Sequence, residues 1–172
     1  MKVVVLRGAN TGFSVGFDLK ELAPGFLGSD PSDDPAIRSL AQSGRRLIDT
    51  VESTDKTTIA AVHGHAIGGG FLLAAACDFR IMATDTICAI PEIDLGLPLT
   101  WGGVDLIVRR LGVDLAKRLI ITGERFTPQL FAATHFSYET PNLKQFDRTL
   151  EDLVSVLSSK PDFALTAIKQ QF

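Results

Sequence analysis

Three consecutive glycines, Gly68-Gly69-Gly70, separate the apolar run Ala60-Ala61-Val62 from the apolar run Phe71-Leu72-Leu73-Ala74. With no side chains in the way, a ligand can approach the main chain closely there. N–H groups at the start of a following helix would be free to meet it. Such a turn can serve as an anion cradle, as an oxyanion hole, or simply as a tightly packed corner. A second candidate lies upstream in Phe13-Ser14-Val15-Gly16-Phe17-Asp18-Leu19-Lys20. One N–H from each stretch, converging on one oxygen, would stabilise an oxyanion, and the helix dipole would reinforce the second donor. By spacing alone, two ordinary tight turns are the simpler reading. Glu92 brings a carboxylate directly after the apolar Ile87-Cys88-Ala89-Ile90, amid Ile90, Ile93, Leu95 and Leu97. Desolvation would raise its pKa and suit it to act as a general base. The competing reading is a solvated glutamate at a strand end. Asp94, two residues on, reads as an exposed or capping residue.

Other chemistries find less support. His63 and His65 alternate along a strand end, but no Cys, Asp or Glu stands at ligand spacing, so packed or hydrogen-bonded histidines are expected rather than a metal site. His135 is isolated. The glycine turn lacks the Gly-x-Gly-x-x-Gly spacing and the lysine of a phosphate-binding loop, and the chain has no Gly-x-Ser-x-Gly elbow. Trp101, beside Gly102-Gly103, reads as a packing aromatic or a pocket wall.

Strands and helices must carry these groups. Val3-Val4-Val5-Leu6, closed by Gly8, predicts a strand buried on both faces. An irregular Pro/Gly/Ser/Asp segment from Pro24 to Asp34 predicts a loop. Asp34-Pro35 then reads as an N-cap with proline at the first helical position. Ile37, Leu40, Gly44, Leu47, Ile48 and Val51 follow at helical spacing, with Arg38, Arg45 and Asp49 facing away. Thr57 to Val62 predicts a strand, Phe71 to Cys77 a helix buried all round, and Asp78 to Ala83 and Ile87 to Ile90 two more strands. Helices are predicted from Gly102-Gly103 to Gly112, from Val113 to Thr122, along the Leu143–Leu157 stripe, and from Pro161 to Phe172. Strand and helix alternate with short connections, an α/β order without a repeat or a splitting linker.

The 172 residues, 45% hydrophobic and 22% charged, suit one globular domain. A net charge of −3 and a pI near 5.6 leave no basic footprint for nucleic acid. No apolar stretch is long enough to span a bilayer. Cys77 and Cys88 lie in apolar runs and read as buried thiols of an intracellular protein. The expected location is the cytoplasm, or a mitochondrion or peroxisome if the N-terminus is incomplete.

Taken together, these stretches resemble the enoyl-CoA hydratase/isomerase (crotonase) family. The blocks run in family order: Phe13 to Lys20, Ala60 to Gly70, Cys77-Asp78-Phe79-Arg80-Ile81, Pro91-Glu92-Ile93-Asp94-Leu95-Gly96-Leu97, Gly102-Gly103, and Leu119-Ile120-Ile121-Thr122-Gly123. The likeness covers residues 3–123 and, more loosely, 124–172. It implies an α/β fold, a crotonase-like spiral of repeated ββα units incomplete at both ends, in a single domain over 1–172. It also implies an acyl-CoA thioester as ligand, no cofactor beyond the CoA of the substrate, and a homo-oligomer, trimer or hexamer. By the resemblance, the N–H groups of Phe17 and Gly69 are the oxyanion donors. Val15, Gly16, Asp18, Leu19 and Gly68 bind substrate, and Glu92 matches the family's second catalytic glutamate.

The chain departs from that pattern in places. Leu72 stands where the family's first catalytic glutamate falls. The opening segment that helps bind CoA is missing before Met1, and the closing helices are absent or shortened. A customary glycine is replaced within Ala133-Thr134-His135-Phe136. Leucine cannot orient water, so the pattern implies an enoyl-CoA isomerase with Glu92 as sole acid/base. The alternatives are a hydratase-type activity in which a side chain such as Asp94 holds water, or a non-catalytic acyl-CoA-binding or assembly member.

Overall fold

The computed structural model describes residues 2–19, 35–131 and 133–172. The loop expected from Pro24 to Asp34, the Asp34 cap and Lys20 lie outside the described residues. In chain order the elements are β1 (Val3–Arg7), α1 (Pro35–Ser53), β2 (Thr57–Val62), β3 (His65–Ile67), α2 (Gly69–Ala76), β4 (Phe79–Met82) and β5 (Ile87–Ala89). A 3-10 turn, Pro91–Leu95, leads to α3 (Gly103–Leu111) and α4 (Val113–Thr122). A second 3-10 turn, Pro128–Phe131, precedes α5 (Leu143–Ser158) and α6 (Asp162–Lys169).

The strands sort into two parallel sheets, ordered β1-β2-β4 and β3-β5. Ser14 extends the second sheet by a parallel bridge to Ala66. Each turn of the chain therefore contributes one strand to the first sheet, one strand or bridge to the second, and then a helix. β1, Ser14 and α1 make one such unit; β2, β3 and α2 make the next; β4, β5 and α3 make the third. This is a spiral of ββα units.

β2 is buried throughout because it is central and covered on both faces. Its period of two sends Ala60 and Val62, with Met82, into a core shared with α2, α3 and α4. Ile59 and Ala61, with Ile81 and Ala83, meet Phe146, Leu150, Leu153 and Leu157 of α5 on the other face. α2 is apolar all round, as its sequence implies, and Phe71 packs among the rings of Phe126, Phe131 and Phe136. Arg80 pins the far end of α2. Its buried guanidinium donates to the carbonyls of Ala74, Ala75 and Cys77, and also to those of Asp78 and Phe136. Helix-terminal carbonyls that would otherwise be orphaned are thus satisfied, and the helix is held at a fixed angle to the sheet. Cys77 and Cys88 are free and buried; burial pushes their thiols up to about 11 and about 12.

Two expectations are corrected. Among the described residues β1 is an edge strand, with Val5 37% exposed, and is not buried on both faces. Its apolar run looked like an interior strand because hydropathy alone cannot tell a covered face from one left open. Leu47, expected on the packed face of α1, is exposed, while Gly44 and Ile48 are buried. At 100° per residue the stripe is too narrow to include it.

His135 holds a left-handed backbone with φ of 54° and is exposed. A Cβ in that conformation costs about 1–2 kcal/mol, part of which glycine gives back as unfolded-chain entropy. His135→Gly should therefore stabilise the fold by about 0.5–1 kcal/mol, read as a rise in thermal midpoint of about 2 °C.

Candidate active site

The two glycine-bearing stretches meet at the N-terminus of α2. Gly68, the N-cap, adopts φ 54° and ψ −124°, a conformation that side-chain-bearing residues avoid. Its N–H donates to Ala89 O at 2.9 Å, which ties the turn to β5, and its carbonyl accepts from Leu72 N at 3.1 Å. Gly69 opens the helix, so the helix itself offers its N–H no acceptor. The upstream loop runs directly against this point. Ser14 O accepts from Ile67 N at 2.9 Å, and Gly16 N donates to Ser14 Oγ at 3.2 Å. A Cβ placed on Gly16, whose φ is 86°, would stand 3.2 Å from Gly69 N. Only a glycine lets the loop come this close.

Glu92 faces the turn from the 3-10 segment Pro91–Leu95. Pro91 starts that segment, Gly96 closes it in a left-handed conformation, and Leu97 N donates to Glu92 O at 3.0 Å. The carboxylate reaches the glycines: a Cβ on Gly68 would lie 2.7 Å from Glu92 Oε1. Glu92 Oε2 is buried without a hydrogen-bond partner among the described residues. Desolvation raises the Glu92 pKa, partly offset by a hydrogen bond with its own backbone. Glu92 is thus no solvated glutamate at a strand end. The sequence did not reveal the 3-10 turn, which bends the chain inward after β5.

Between these parts lies a cavity of about 190 Å³. The loop supplies Val15, Gly16, Phe17 and Leu19, and the turn supplies Gly68, Gly69 and Leu72; Glu92 lies across from them. Val15 and Leu19 are exposed and form the rim, while Leu72 is 1% exposed and lies at the floor. Apart from Glu92, the lining is almost wholly apolar, with Thr100 and the Trp101 indole as the other polar-bearing side chains.

Of the residues expected at the site, Val15, Gly16, Phe17, Leu19, Gly68, Gly69 and Glu92 all line this cavity, and Asp18 does not. Asp18 is exposed and lies off the wall. Asp94, the candidate for holding a water, is also exposed and outside the cavity; its Oδ2 lies 3.0 Å from where a Gly123 Cβ would be. In a 3-10 turn, residues two apart point to different sides, so Glu92 and Asp94 cannot share the pocket. His63 Nε2 stands 2.9 Å from Asn10 O, and His65 is exposed. Among the described residues no three His, Cys, Asp or Glu side chains gather as metal ligands. Trp101 is a wall residue whose role sequence reasoning left open. Its φ is 59°, an uncommon state for so large a residue, and its ring touches Gly69.

Comparison with known proteins adds to this geometry. A family model described as enoyl-CoA hydratase/isomerase matches residues 1–172. A "Probable enoyl-CoA hydratase" of Bacillus subtilis (strain 168) is 36% identical over 124 residues, 72% of this chain and 46% of that protein. The chain thus spans under half the length of that relative. The crystal structure of enoyl-CoA hydratase from Bacillus anthracis superposes with a TM-score of 0.87 at 29% identity, over 98% of this chain and 63% of that one. A Thermobifida fusca chain solved in complex with CoA gives a TM-score of 0.84 at 29% identity, over 98% of this chain and 66% of that one. The ββα spiral described above is the crotonase fold.

Proposed function

Because the chain belongs to the enoyl-CoA hydratase/isomerase family, we propose that its cavity binds an acyl-CoA thioester and moves a double bond along the acyl chain, with Glu92 as the only acid/base. The N–H groups of Phe17 and Gly69 hold the thioester oxygen. Glu92 removes a proton from C2 of a 3-enoyl-CoA. The C–H electron pair forms the C1–C2 double bond of a dienolate while the carbonyl pair moves onto the oxygen, where two amides and the dipole of α2 stabilise it. Protonated Glu92 then returns the proton to C4, the dienolate collapses, and the product is a 2-enoyl-CoA. No water takes part. A carboxylate with a raised pKa suits both halves of this cycle, since it must first accept the proton and then release it.

One observation carries the choice of isomerisation over hydration. The buried Glu92 carboxylate shares its pocket with Leu72, an aliphatic floor where a second acid would be needed to orient water. Asp94, outside the cavity, does not supply that acid. Hydration remains the competing reading because the B. subtilis relative carries a hydratase name.

Purified protein offered a 3-enoyl-CoA should form the conjugated 2-enoyl thioester, followed by its ultraviolet absorbance. Offered a 2-enoyl-CoA, it should hydrate the double bond at least a hundredfold more slowly, about the contribution of one missing acid/base group. Hydration at the faster of the two rates would overturn the proposal. So would a bound acyl-CoA that undergoes neither reaction, which would mark a non-catalytic binding member.

A further inference from the structure

The indole of Trp101 fills a slot between two helices that both lack side chains where it sits. On one side, a Cβ on Gly44 of α1 would collide with Cδ2, Cε2 and Nε1 of the ring. On the other, a Cβ on Gly69 of α2 would collide with Cζ3 and Cη2, and would stand 3.1 Å from Cε3. The ring therefore lies directly against both backbones, its pyrrole side on α1 and its benzo edge on the residue that opens α2. Trp101 and Gly102 take successive left-handed conformations, φ 59° and 71°, and thereby aim the ring into that slot. Glycine accepts this readily and tryptophan does not. An unfavourable backbone state maintained on a cavity wall points to a task for the side chain.

The cavity shows what that task would be. Leu72 and Leu99 line it and pack together onto Gly103: a Cβ there would stand 2.8 Å from Leu72 Cδ1 and 2.9 Å from Leu99 Cγ. Beside this apolar wall the indole occupies the gap between α1 and α2, where removal of the ring would open space for a longer acyl group. At about 190 Å³ the cavity is smaller than the roughly 300–1,000 Å³ usual for drug-sized ligands. The wall is hydrocarbon apart from Glu92, Thr100 and the Trp101 indole N–H, so a group of matching chemistry is a short, unsubstituted acyl chain.

We propose that Trp101 is the residue that sets acyl-chain length, by plugging the gap between α1 and α2 with its indole and so admitting short acyl groups and excluding long ones. This rests on the acyl-CoA reading above. A pocket that ends in a rigid ring discriminates by steric exclusion, where each surplus methylene is worth about ten- to two-hundredfold.

The test is binding of two saturated thioesters, butanoyl-CoA and decanoyl-CoA, by calorimetry on the full chain. Neither can be isomerised, so turnover does not enter the readout. Wild type should bind butanoyl-CoA at least tenfold more tightly than decanoyl-CoA. Trp101→Gly, which also relieves the left-handed backbone, should tighten decanoyl-CoA at least tenfold and leave butanoyl-CoA within about threefold. Trp101→Phe keeps a ring of smaller volume and should shift the ratio of the two affinities in the same direction by less. It decides the matter if the glycine variant does not fold, as judged by circular dichroism. An unchanged ratio in the folded variants would reduce Trp101 to packing and overturn this proposal alone. Absence of binding for both thioesters in wild type would remove the acyl-CoA reading and this proposal with it.

Discussion

Glu92→Gln should slow double-bond migration by about a thousandfold while acyl-CoA affinity stays within about threefold, because the amide keeps the shape of the carboxylate and loses only its ability to take a proton. The same substitution should make the protein more stable at neutral pH. Burial raises the folded-state pKa of Glu92 above its unfolded value. Between those two values the native state binds more protons than the unfolded chain, so stability falls as pH rises through that window. Above it, the fold carries an ionised carboxylate with one oxygen buried and unpartnered, a cost that glutamine avoids. Thermal unfolding at pH 7.5 should therefore place Glu92→Gln above wild type. The gap should close as pH drops below the ordinary glutamate pKa of about 4.3, where both side chains are neutral in both states. The rate follows the same group with its own sign. Activity is lost as pH falls through the raised folded pKa, so the acid limb of kcat/KM should lie above the usual carboxylate range. Stability gained at neutral pH together with activity lost identifies a base held against its own solvation. A variant that is less stable at pH 7.5 would contradict that account.

The parts of the site that could be read in the sequence are those built from main chain. Gly16, Gly68 and Gly69 are visible because the closeness of the two turns tolerates no Cβ, and a glycine required by geometry leaves a mark in any sequence. The helical and strand boundaries were equally legible where one period ran uninterrupted: Val113–Thr122 begins and ends between glycines, and Thr57–Val62 is β-branched and apolar. Side-chain direction was less accessible. For Glu92 a base in an apolar setting and a solvated strand-end glutamate were both open, and the 3-10 turn decides between them by sending Glu92 to the cavity and Asp94 out to solvent. Trp101 was readable as an aromatic beside two glycines, but its partners, Gly44 and Gly69, are 57 and 32 positions away in the chain. Nothing local links a glycine inside α1 to an indole after β5. Asp18 shows the limit from the other direction: membership of a recognised block says where the backbone goes, and Asp18 is exposed and is not one of the residues that line the cavity.

Gly68→Ala tests how finely the base is placed, and its effect should approach that of removing the base. Two faults arise from one methyl group. The first is conformational. At φ 54° and ψ −124° an alanine is strained by about 1–3 kcal/mol, and the N–H bond to Ala89 O that ties the turn to β5 resists any relaxation. The second is steric. The methyl would stand 2.7 Å from Glu92 Oε1, well inside contact distance, so the carboxylate must withdraw by the better part of an ångström. A displacement of that size at a proton-transfer distance costs about a hundredfold. Since the proposed oxyanion amides and the hydrocarbon wall remain, kcat should fall about a hundredfold with KM little changed. Gly69→Ala supplies the contrast. Its methyl would collide with the Trp101 ring rather than the carboxylate, so the damage should appear in KM, as the indole is driven from its slot into the space the acyl group would fill. If both alanine variants lost kcat and kept KM, the two glycines would be serving the turn alone, and the carboxylate would tolerate displacement that this geometry says it cannot.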